Sequence, residues 1–334
     1  MNNFLYGKTY DEISVICNSL SLPRYTAKQI CDWLYSKGVN HISEMTNLSL
    51  KTRELLSTNY EAGGQNPSLE LVSNDGTRKY IFTYGSLVEA VVIFDRDRVT
   101  LCISSQKGCK LNCRFCATGQ QGYKGQMTPY EILNIFRYVN KQFPVSNIVF
   151  MGMGEPLDNW QNVHQAIQIL VSDWGYGISP RRITISTSGI KQRINDLLTT
   201  TDCHVAISLH NAISRERMEI MPIEKASPIE QIIKTLRSYD WSGQRRLTFE
   251  YIVFDFNHTT AHIQALVTLL KGIECRINLI RYHQTPNSNF KGANNDAILK
   301  FANNLNAKGL RTIIRASNGE DIFAACGQLA GVMK

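Results

Sequence analysis

From residue 99 onward the chain repeats one order of patterns, in which an apolar strand-like run is followed by a loop and a helix-like segment. Seven strand-like runs occupy residues 99–104, 147–151, 182–186, 204–209, 247–254, 276–280 and 311–315. The clearest helix-like segments are 128–143, 261–272 and 295–309. This alternation predicts a parallel sheet with right-handed crossovers. Six or seven such units favour an α/β fold built as a partial (βα)6-type TIM barrel over a doubly wound sheet.

The first 62 residues have helical periodicity instead. Ile30, Trp33 and Leu34 share one helix face, and Gly38 is a plausible stop for that helix. A later helix begins after Asn47 or Ser49, since either side chain can cap it. We therefore predict a small N-terminal helical accessory domain over residues 1–62.

Residues 63–98 alternate between apolar and polar positions, as strands do. The segment Asn74-Asp75-Gly76 separates two such runs and is a strong hairpin signal. We predict a short β-rich connector over 63–98, followed by the partial barrel over 99–334.

Composition limits the class of protein. Hydrophobic residues make up 43% of the 334 residues and charged residues 19%, which is ordinary for a globular protein with a sizeable core. No run approaches the ~20 apolar residues of a membrane span, and the N-terminus does not resemble a signal peptide, so we expect a cytoplasmic protein. Nine cysteines at irregular spacing argue against a disulfide framework. The net charge of +8 favours a polyanionic partner such as RNA.

Three of the cysteines, Cys109, Cys113 and Cys116, fall within eight positions. Their spacing differs from the paired Cys-x-x-Cys of a zinc ribbon, and no fourth cysteine is nearby. Three thiolates around an iron–sulfur cube leave one iron free to bind a small molecule through an amine and a carboxylate. The loop follows a strand, at the end where barrel enzymes place their chemistry. The alternative is three structural thiols, or three zinc ligands with His210 as a distant fourth.

Small or polar residues follow several predicted strands. In the segment MGMGEP, Gly154 would let a ligand approach the backbone, and Glu155 could accept hydrogen bonds from an ammonium group. Later strand ends supply five further candidate contacts, which are Ser186, Ser208, Leu209, His210 and Asn278. Routine strand capping is the alternative interpretation at each of these positions.

Three other residues are open to two interpretations. Cys102 inside an apolar strand and Cys326 beside two alanines are both typical of inert core. Glu89 is a lone carboxylate in the apolar run LVEAVVI, so it is either exposed by alternation or functional.

The cysteine loop resembles that of the radical S-adenosylmethionine enzymes. Together with MGMGEP, RRITISTSG, ISLH, INLI and AACGQLAG in this order, it makes the chain resemble the RlmN family of dual-specificity RNA methyltransferases. The resemblance extends over nearly the whole chain. It implies a partial barrel, an RNA-binding N-terminal domain, and one [4Fe-4S] cluster on the three cysteines. It also implies S-adenosyl-L-methionine at the strand ends, and methylation at C2 of adenine 2503 in 23S ribosomal RNA and adenine 37 in transfer RNAs.

The resemblance also implies roles for the three ambiguous residues. Cys326 would take a methyl group from one S-adenosylmethionine by displacement. A second would be cleaved to a radical that removes hydrogen from this S-methyl group, so two are used per turnover. The methylene radical would add to the adenine and link enzyme to RNA. Cys102 would release the RNA by forming a disulfide with Cys326, and Glu89 would accept a proton.

One segment departs from the family pattern. After INLI the chain reads RYHQTP, residues 281–286, where family members more often carry Asn-Pro. Sister enzymes that methylate C8 of the same ribosomal adenine often have Arg-Tyr there. C8 methylation, an antibiotic-resistance activity, is therefore the main alternative to C2 methylation.

Two further alternatives belong to other classes. A radical S-adenosylmethionine maturase acting on a protein would need no Cys326, and a non-enzymatic RNA-binding protein would not cleave the cofactor. For the main interpretation the expected partners are 23S ribosomal RNA, transfer RNA and an electron donor such as flavodoxin, and the chain is expected to be a monomer. The pairs Arg181-Arg182 and Arg245-Arg246 are candidate phosphate contacts or simply a solvated basic face.

Overall fold

The computed structural model describes residues 3–285 and 288–330. Its strands are β1 Leu69–Val72, β2 Arg78–Thr83, β3 Leu87–Asp95, β4 Arg98–Cys102, β5 Gln106–Gly108, β6 Tyr123–Gln126, β7 Asn147–Phe150, β8 Ile183–Thr187, β9 His204–Ser208, β10 Leu247–Val253, β11 Arg276–Arg281 and β12 Thr312–Ile314. Its α-helices are α1 Tyr10–Ser19, α2 Tyr25–Cys31, α3 Leu50–Asn59, α4 Ala117–Gln120, α5 Pro129–Gln142, α6 Trp160–Val171, α7 Lys191–Thr200, α8 Ser214–Ile220, α9 Ile229–Arg237, α10 Thr260–Leu270 and α11 Asn295–Ala307. Among the residues described, no helix has the length and apolar character needed to cross a membrane.

The chain divides into two compact units. One contains residues 1–67, 127–144 and 160–179, and the other contains 68–126, 145–159 and 180–334. The boundaries expected from the sequence, after residues 62 and 98, stay a prediction.

The larger unit is built on one sheet in the order β1-β2-β3-β4-β7-β8-β9-β10-β11-β12. From β4 to β12 every neighbouring pair in this order is parallel. All seven predicted strands are therefore confirmed, and they follow one another across the sheet as successive βα units require. The carboxyl ends of these strands meet along one edge of the sheet, and the candidate active site lies at this edge.

The predicted hairpin is confirmed between β1 and β2, which pair antiparallel. Gly76 closes the turn with a φ of +85°, a conformation that suits glycine. β3 returns antiparallel to both β2 and β4 and so joins the hairpin to the parallel strands.

A second, two-stranded sheet was not predicted. β5 and β6 pair antiparallel on either side of the cysteine segment, so residues 109–122 form the loop of a hairpin. Gly108 has a φ of +83°, and a side chain there would clash with the carbonyl oxygen of Gly122. Polar strands this short lack the alternation by which a strand is recognised in sequence.

The smaller unit contains the N-terminal helices together with α5 and α6. Ser49 caps α3 by accepting from the amide of Thr52 at 3.1 Å, whereas Asn47 accepts from the indole of Trp33. Thr128 caps α5 and Pro129 occupies its first turn. Arg137 of α5 is buried, and donates to the carbonyl oxygens of Val39 and Gly63 at 3.0 Å each. These bonds tie α5 to the N-terminal helical segments.

Candidate active site

The cysteine loop lies over a cavity at the carboxyl ends of the parallel strands. Cys109, Cys113 and Cys116 all line this cavity, which we call the main cavity. Cys113 is buried and the other two are half-buried. In the described part of the chain, no three His, Cys, Asp or Glu side chains are placed to share a single metal ion. The thiols are thus gathered at one cavity without forming a mononuclear site.

Gly154 and Glu155 line the same cavity, in the turn after β7. Gly154 has a φ of +97°, and a side chain there would clash with Gln106. Glu155 is buried, and its carboxylate accepts from the Ser188 amide at 2.8 Å and the Leu157 amide at 3.0 Å. Burial raises the pKa of this carboxyl group although the hydrogen bonds oppose the rise. The close packing of Gly154 on Gln106 and the backbone hydrogen bonds to Glu155 thus explain much of why these two residues occupy this turn.

The strand-end candidates separate into two groups. Ser186, Ser208 and His210 line the main cavity. Leu209 is fully buried, and Asn278 donates to a carboxylate oxygen of Glu250 at 2.7 Å.

His210 is held as a neutral ring. Its Nδ1 accepts from the amide of Ile252 at 3.1 Å, and burial, with a contribution from Arg217, lowers its pKa to about 3. The alternative of His210 as a zinc ligand would require breaking this hydrogen bond or using Nε2.

A buried ion pair, formed by Arg217 and Glu224, holds the ends of the strands through hydrogen bonds from inside the protein. Arg217 is fully buried and paired with Glu224. Its guanidinium donates to the carbonyl oxygens of Ser188 at 3.1 Å and Ser208 at 3.0 Å. Removing either charge would leave the other buried without its partner, which is strongly destabilising.

Glu250 in β10 was not recognised in the sequence. It is buried, with 4% of its surface exposed, and it lines the main cavity. Oε1 accepts from Asn278, whereas Oε2 has no hydrogen-bond partner within the described residues. The nearest cation is Nη1 of Arg315 at 3.6 Å, too far for a hydrogen bond. A lone glutamate in the apolar run LTFEYIVF was an available signal, of the same kind as that of Glu89.

A second cavity contains the two thiols outside the cysteine loop. Cys102, Cys326 and Arg315 line it together, and Cys326 and Arg315 also line the main cavity. Cys102 is buried, whereas Cys326 is exposed. Burial raises the pKa of Cys102 to about 12, with a further rise from Cys326 and an opposing effect of Arg315. All nine cysteines are free thiols, so the disulfide implied by the resemblance is not formed here.

Glu89 is buried rather than exposed. Its carboxylate lies 3.5 Å from Nζ of Lys79, which is also buried. Lys79 in turn donates to the carbonyl oxygen of Phe323 at 3.3 Å, three residues before Cys326. Glu89 is therefore linked through one side chain to the segment that contains Cys326.

The hairpin turn between β1 and β2 holds that same segment. Asp75 accepts from the amide of Gly319 at 2.9 Å, and Asp321 accepts from the amide of Asn74 at 3.0 Å and from the hydroxyl of Ser73. Burial raises the pKa of Asp75, but the hydrogen bonds from the amides of Gly319 and Thr77 and from nearby hydroxyls together outweigh burial and lower the pKa to about 2. Asp75 of the hairpin turn thus binds a backbone amide of the segment around Gly319, and Asp321 of that segment binds a backbone amide of the turn.

The segment that departs from the family pattern is anchored by its side chains. Arg281 donates to the amide oxygen of Asn295 at 3.0 Å, and the Tyr282 ring packs 5.1 Å from that of Phe254. His283 lies 2.9 Å from the hydroxyl of Ser317. Pro286, the last residue of RYHQTP, lies outside the described residues.

Comparison with known proteins identifies the family. Residues 3–62 match the ribosomal RNA large subunit methyltransferase N-terminal domain, and residues 103–269 match the radical SAM superfamily. The chain is 49% identical over 329 residues to a probable dual-specificity RNA methyltransferase RlmN of Phocaeicola vulgatus, covering 98% of this chain and 94% of that one. This chain belongs to the RlmN family. It is an enzyme, a methyltransferase of the radical SAM class.

Other RlmN relatives and a solved structure agree with this. The identity is 48% to a probable RlmN of Bacteroides thetaiotaomicron, covering 98% of this chain and 95% of that one. It is 42% to the RlmN of Syntrophus aciditrophicus, covering 96% and 94%. The crystal structure of a radical SAM methyltransferase from Sphaerobacter thermophilus superimposes with a TM-score of 0.92 at 34% identity, covering 99% of this chain and all of that one. The predicted fold class is confirmed.

Proposed function

We propose that this enzyme methylates C2 of adenine 2503 in 23S ribosomal RNA and of adenine 37 in transfer RNAs, with Cys326 as the methyl carrier. The observation that carries the proposal is the position of Cys326, which lines the main cavity with the three loop cysteines and the second cavity with Cys102. A thiol that must first accept a methyl group and later meet a second thiol needs access to both places.

The residues fit the groups that the family implies. Cys109, Cys113 and Cys116 would hold a [4Fe-4S] cluster, since three thiols at one cavity leave one iron free. S-adenosylmethionine would bind beside them at Gly154, Glu155, Ser186, Ser208 and His210, with Leu209 and Asn278 in supporting positions. Glu250 lines this cavity and its Oε2 atom has no hydrogen-bond donor among the described residues, so a hydroxyl or amino group of the cofactor would supply one. When bound, the two groups supply the methyl group and the hydrogen-abstracting radical.

The chain's own thiols perform the transfer and the release. Cys326 gives up its proton to become the nucleophile for the methyl group. Burial raises the pKa of this thiol, and the guanidinium of Arg315 opposes the rise and favours the thiolate. After carbon–carbon bond formation the adduct gives up its unpaired electron, which the cluster would accept when bound. The thiolate of Cys102 then bonds to the sulfur of Cys326 while the sulfur–methylene bond breaks. That electron pair stays on the methylene carbon, which takes up a proton and becomes the methyl group. Glu89 accepts the proton that leaves adenine C2, and Lys79 stabilises the carboxylate that receives it.

The environment of the reaction follows from the resemblance. The enzyme would act as a monomer in the cytoplasm, with a small redox protein such as flavodoxin as electron donor. Two S-adenosylmethionine molecules would be consumed for each adenine, one for each stage of the chemistry.

The test is mass spectrometry of nucleosides from both RNAs after anaerobic reaction with cluster-loaded enzyme, S-adenosylmethionine and reductant. We expect 2-methyladenosine in both RNAs. Finding 8-methyladenosine would instead assign the sister activity, and the Arg281-Tyr282 segment would be the first place to exchange residues. Deoxyadenosine without any methylated adenosine would contradict the RNA substrate, while retaining the radical chemistry.

A further inference from the structure

The amino-terminal ends of five neighbouring parallel strands each present a basic residue. Arg182 precedes β8, Arg246 precedes β10 and Arg311 precedes β12, while His204 begins β9 and Arg276 begins β11. These strands are adjacent in the order β8-β9-β10-β11-β12. With strands ~4.8 Å apart, the five positions span about 19 Å.

Backbone contacts show that the row is continuous. The amide of Val205 donates to the carbonyl oxygen of Arg246, and the amide of Ile277 donates to that of Arg311, both at 2.9 Å. The amide of Arg246 also donates to Nδ1 of His204 at 3.1 Å. His204 is therefore in register with Arg246, and Arg276 with Arg311, whereas Arg182 and His204, and Arg246 and Arg276, are offset by two residues.

The positive charge of this row is not compensated. Arg181, Arg182, Arg246 and Arg311 are exposed and Arg276 is half-buried. In the described residues none of the five forms an ion pair; Arg181 instead donates to the amide oxygen of Gln244. Asp202 and Glu274, which precede β9 and β11 by two residues, do not pair with them either. We call these five arginines the arginine edge.

The positive charge of the arginine edge contributes to lowering the pKa of His204. Burial and, in decreasing order, the charges of Arg246, Arg245, Arg181 and Arg276 together lower its pKa to about 4. The ring is therefore neutral near pH 7, and the charge of the row belongs to guanidinium groups. Guanidinium groups are forks of donors that match phosphate oxygens, and their charge does not depend on pH in the physiological range.

Arg245, which precedes Arg246 in the chain, differs from the arginine edge because its side chain has a structural role. It donates to the carbonyl oxygens of Cys203 at 2.7 Å, Leu198 at 2.8 Å and Leu197 at 3.1 Å, and so caps the end of α7. Its donors are used within the protein. The exposed members of the arginine edge have no comparable set of protein acceptors among the described residues.

We propose that the arginine edge binds the phosphodiester backbone of RNA, as a contact separate from the catalytic cavity. Ser186 and Ser208 line the main cavity at the other ends of β8 and β9, so the two places lie about 17 Å apart along five-residue strands. A folded RNA extends well beyond that distance. Phosphate contacts away from the reacting base position the substrate without reading its sequence. This inference rests on the proposed function for the identity of the polyanion.

An acidic electron donor fits the arginine edge less well. Such a donor must approach the loop that contains Cys109, Cys113 and Cys116, and that loop lies at the carboxyl ends of the strands. The arginine edge is at their amino-terminal ends. RNA is the polyanion that can reach both.

The test is salt-dependent binding of an unmodified transfer RNA transcript to the full-length, cluster-loaded enzyme without reductant. The variant carries Arg246→Gln, Arg276→Gln and Arg311→Gln together. The slope of log binding constant against log salt concentration should fall by about 2 to 3, since each phosphate contact contributes about 0.7 to 0.9. A matched control removes three charges from the outer helices, with Arg215→Gln, Lys234→Gln and Lys300→Gln, and should change the slope by less than about 1.

Two further measurements keep the result interpretable. The triple exchange to lysine keeps the charge and should retain most of the slope, which separates lost charge from lost folding. An unchanged slope in the glutamine variant, or an equal fall in the control, would overturn the proposal. So would normal RNA binding combined with slower reduction by flavodoxin, because this would assign the arginine edge to the electron donor. Binding requires no turnover, so a wrong RNA product would contradict the proposed function without affecting this readout.

Discussion

Glu89 and Glu250 are lone carboxylates in apolar strands, and both are buried, yet their surroundings differ. Each carboxylate has a cation close by, Lys79 at 3.5 Å from Glu89 and Arg315 at 3.6 Å from Glu250, but of the two only Glu250 lines the main cavity. A buried acceptor left without a donor costs free energy that a bound ligand can recover. What distinguishes Glu250 is therefore its place at the main cavity, where we expect a bound ligand to supply the missing donor.

Glu250→Gln should weaken S-adenosylmethionine binding about tenfold, because a hydrogen bond to a charged acceptor contributes about 1.5 kcal/mol. Equilibrium dialysis with the cluster-loaded protein measures this directly. Glu216→Gln is the matched control, since Glu216 is bonded to His262 and does not line the main cavity. Equal dissociation constants for wild type and Glu250→Gln would contradict the role of Glu250.

Cys102→Ser should trap RNA on the enzyme, since a serine hydroxyl cannot form the disulfide that releases the product. We expect a covalent protein–RNA species on a denaturing gel, which should be absent when Cys326→Ala is combined with Cys102→Ser. Cys275→Ser is the control, because Cys275 lines neither cavity and turnover should be unchanged. Full release of methylated RNA by Cys102→Ser would exclude Cys102 as the resolving thiol.

At the scale of elements, the position of Cys326 depends on a hairpin far from it in sequence. The turn between β1 and β2 and the segment 319–323 exchange hydrogen bonds through Asp75 and Asp321. Such reciprocal capping fixes one loop on another without burying apolar surface. Cys326 follows this segment by three residues, so we expect the capping to set where its sulfur lies.

Asp75→Asn should reduce the tendency of Cys102 and Cys326 to form a disulfide by about five- to tenfold, since about 1 kcal/mol of hydrogen bonding is lost. Equilibration with oxidised and reduced glutathione, followed by mass spectrometry, measures this without cofactor or RNA. Asp97→Asn, in the exposed turn between β3 and β4, is the control. An unchanged disulfide equilibrium would show that the hairpin does not position the thiol.

The same carboxylate predicts a pH dependence. The pKa of Asp75 is lowered to about 2 in the folded chain, so its contribution to stability is fully present above its usual pKa near 4 and is lost as pH falls towards 2. The disulfide equilibrium, corrected for thiol ionisation, should therefore show no contribution from Asp75 between pH 5 and 8. A step in that interval that Asp75→Asn abolishes would contradict this.

At the scale of the whole molecule, the N-terminal helices are not an appendage that can be removed freely. The unit that contains them also contains α5 and α6, which come later in the chain. Arg137 of α5 is buried, donates to Val39 and lies 4.9 Å from the ring of Tyr6. Removing the N-terminal segment would leave this guanidinium without those partners.

A chain beginning at residue 63 should therefore be unstable, and not a free-standing barrel. We expect a lower unfolding temperature by circular dichroism and aggregation on size exclusion, because Arg137 loses its contacts with Val39 and Tyr6 and apolar surface becomes exposed. Adding Arg137→Leu to the truncated chain should recover part of the loss by removing the buried charge. A monomeric truncated chain that unfolds as cooperatively as the full chain would contradict this expectation.

Local patterns were sufficient for the strands, the hairpin turn and the helix caps. Apolar runs, Asn-Asp-Gly and capping residues act over a few positions, so their outcome is already encoded in neighbouring residues. The spacing of Cys109, Cys113 and Cys116 belongs to the same class, because all three lie on one short loop. The polar hairpin of β5 and β6 escaped recognition because its pairing is not marked by apolar alternation.

Contacts between distant segments were decided only when the strands took their order in the sheet. Nothing near Cys102 in the chain indicates that Cys326 shares its cavity, and nothing near Glu250 indicates that Arg315 is its nearest cation. The arginine edge likewise exists because β8 to β12 lie side by side and four of these five strands begin at or next to an arginine. Short-range patterns follow from local geometry, whereas these neighbours depend on closing loops of many residues around a common core.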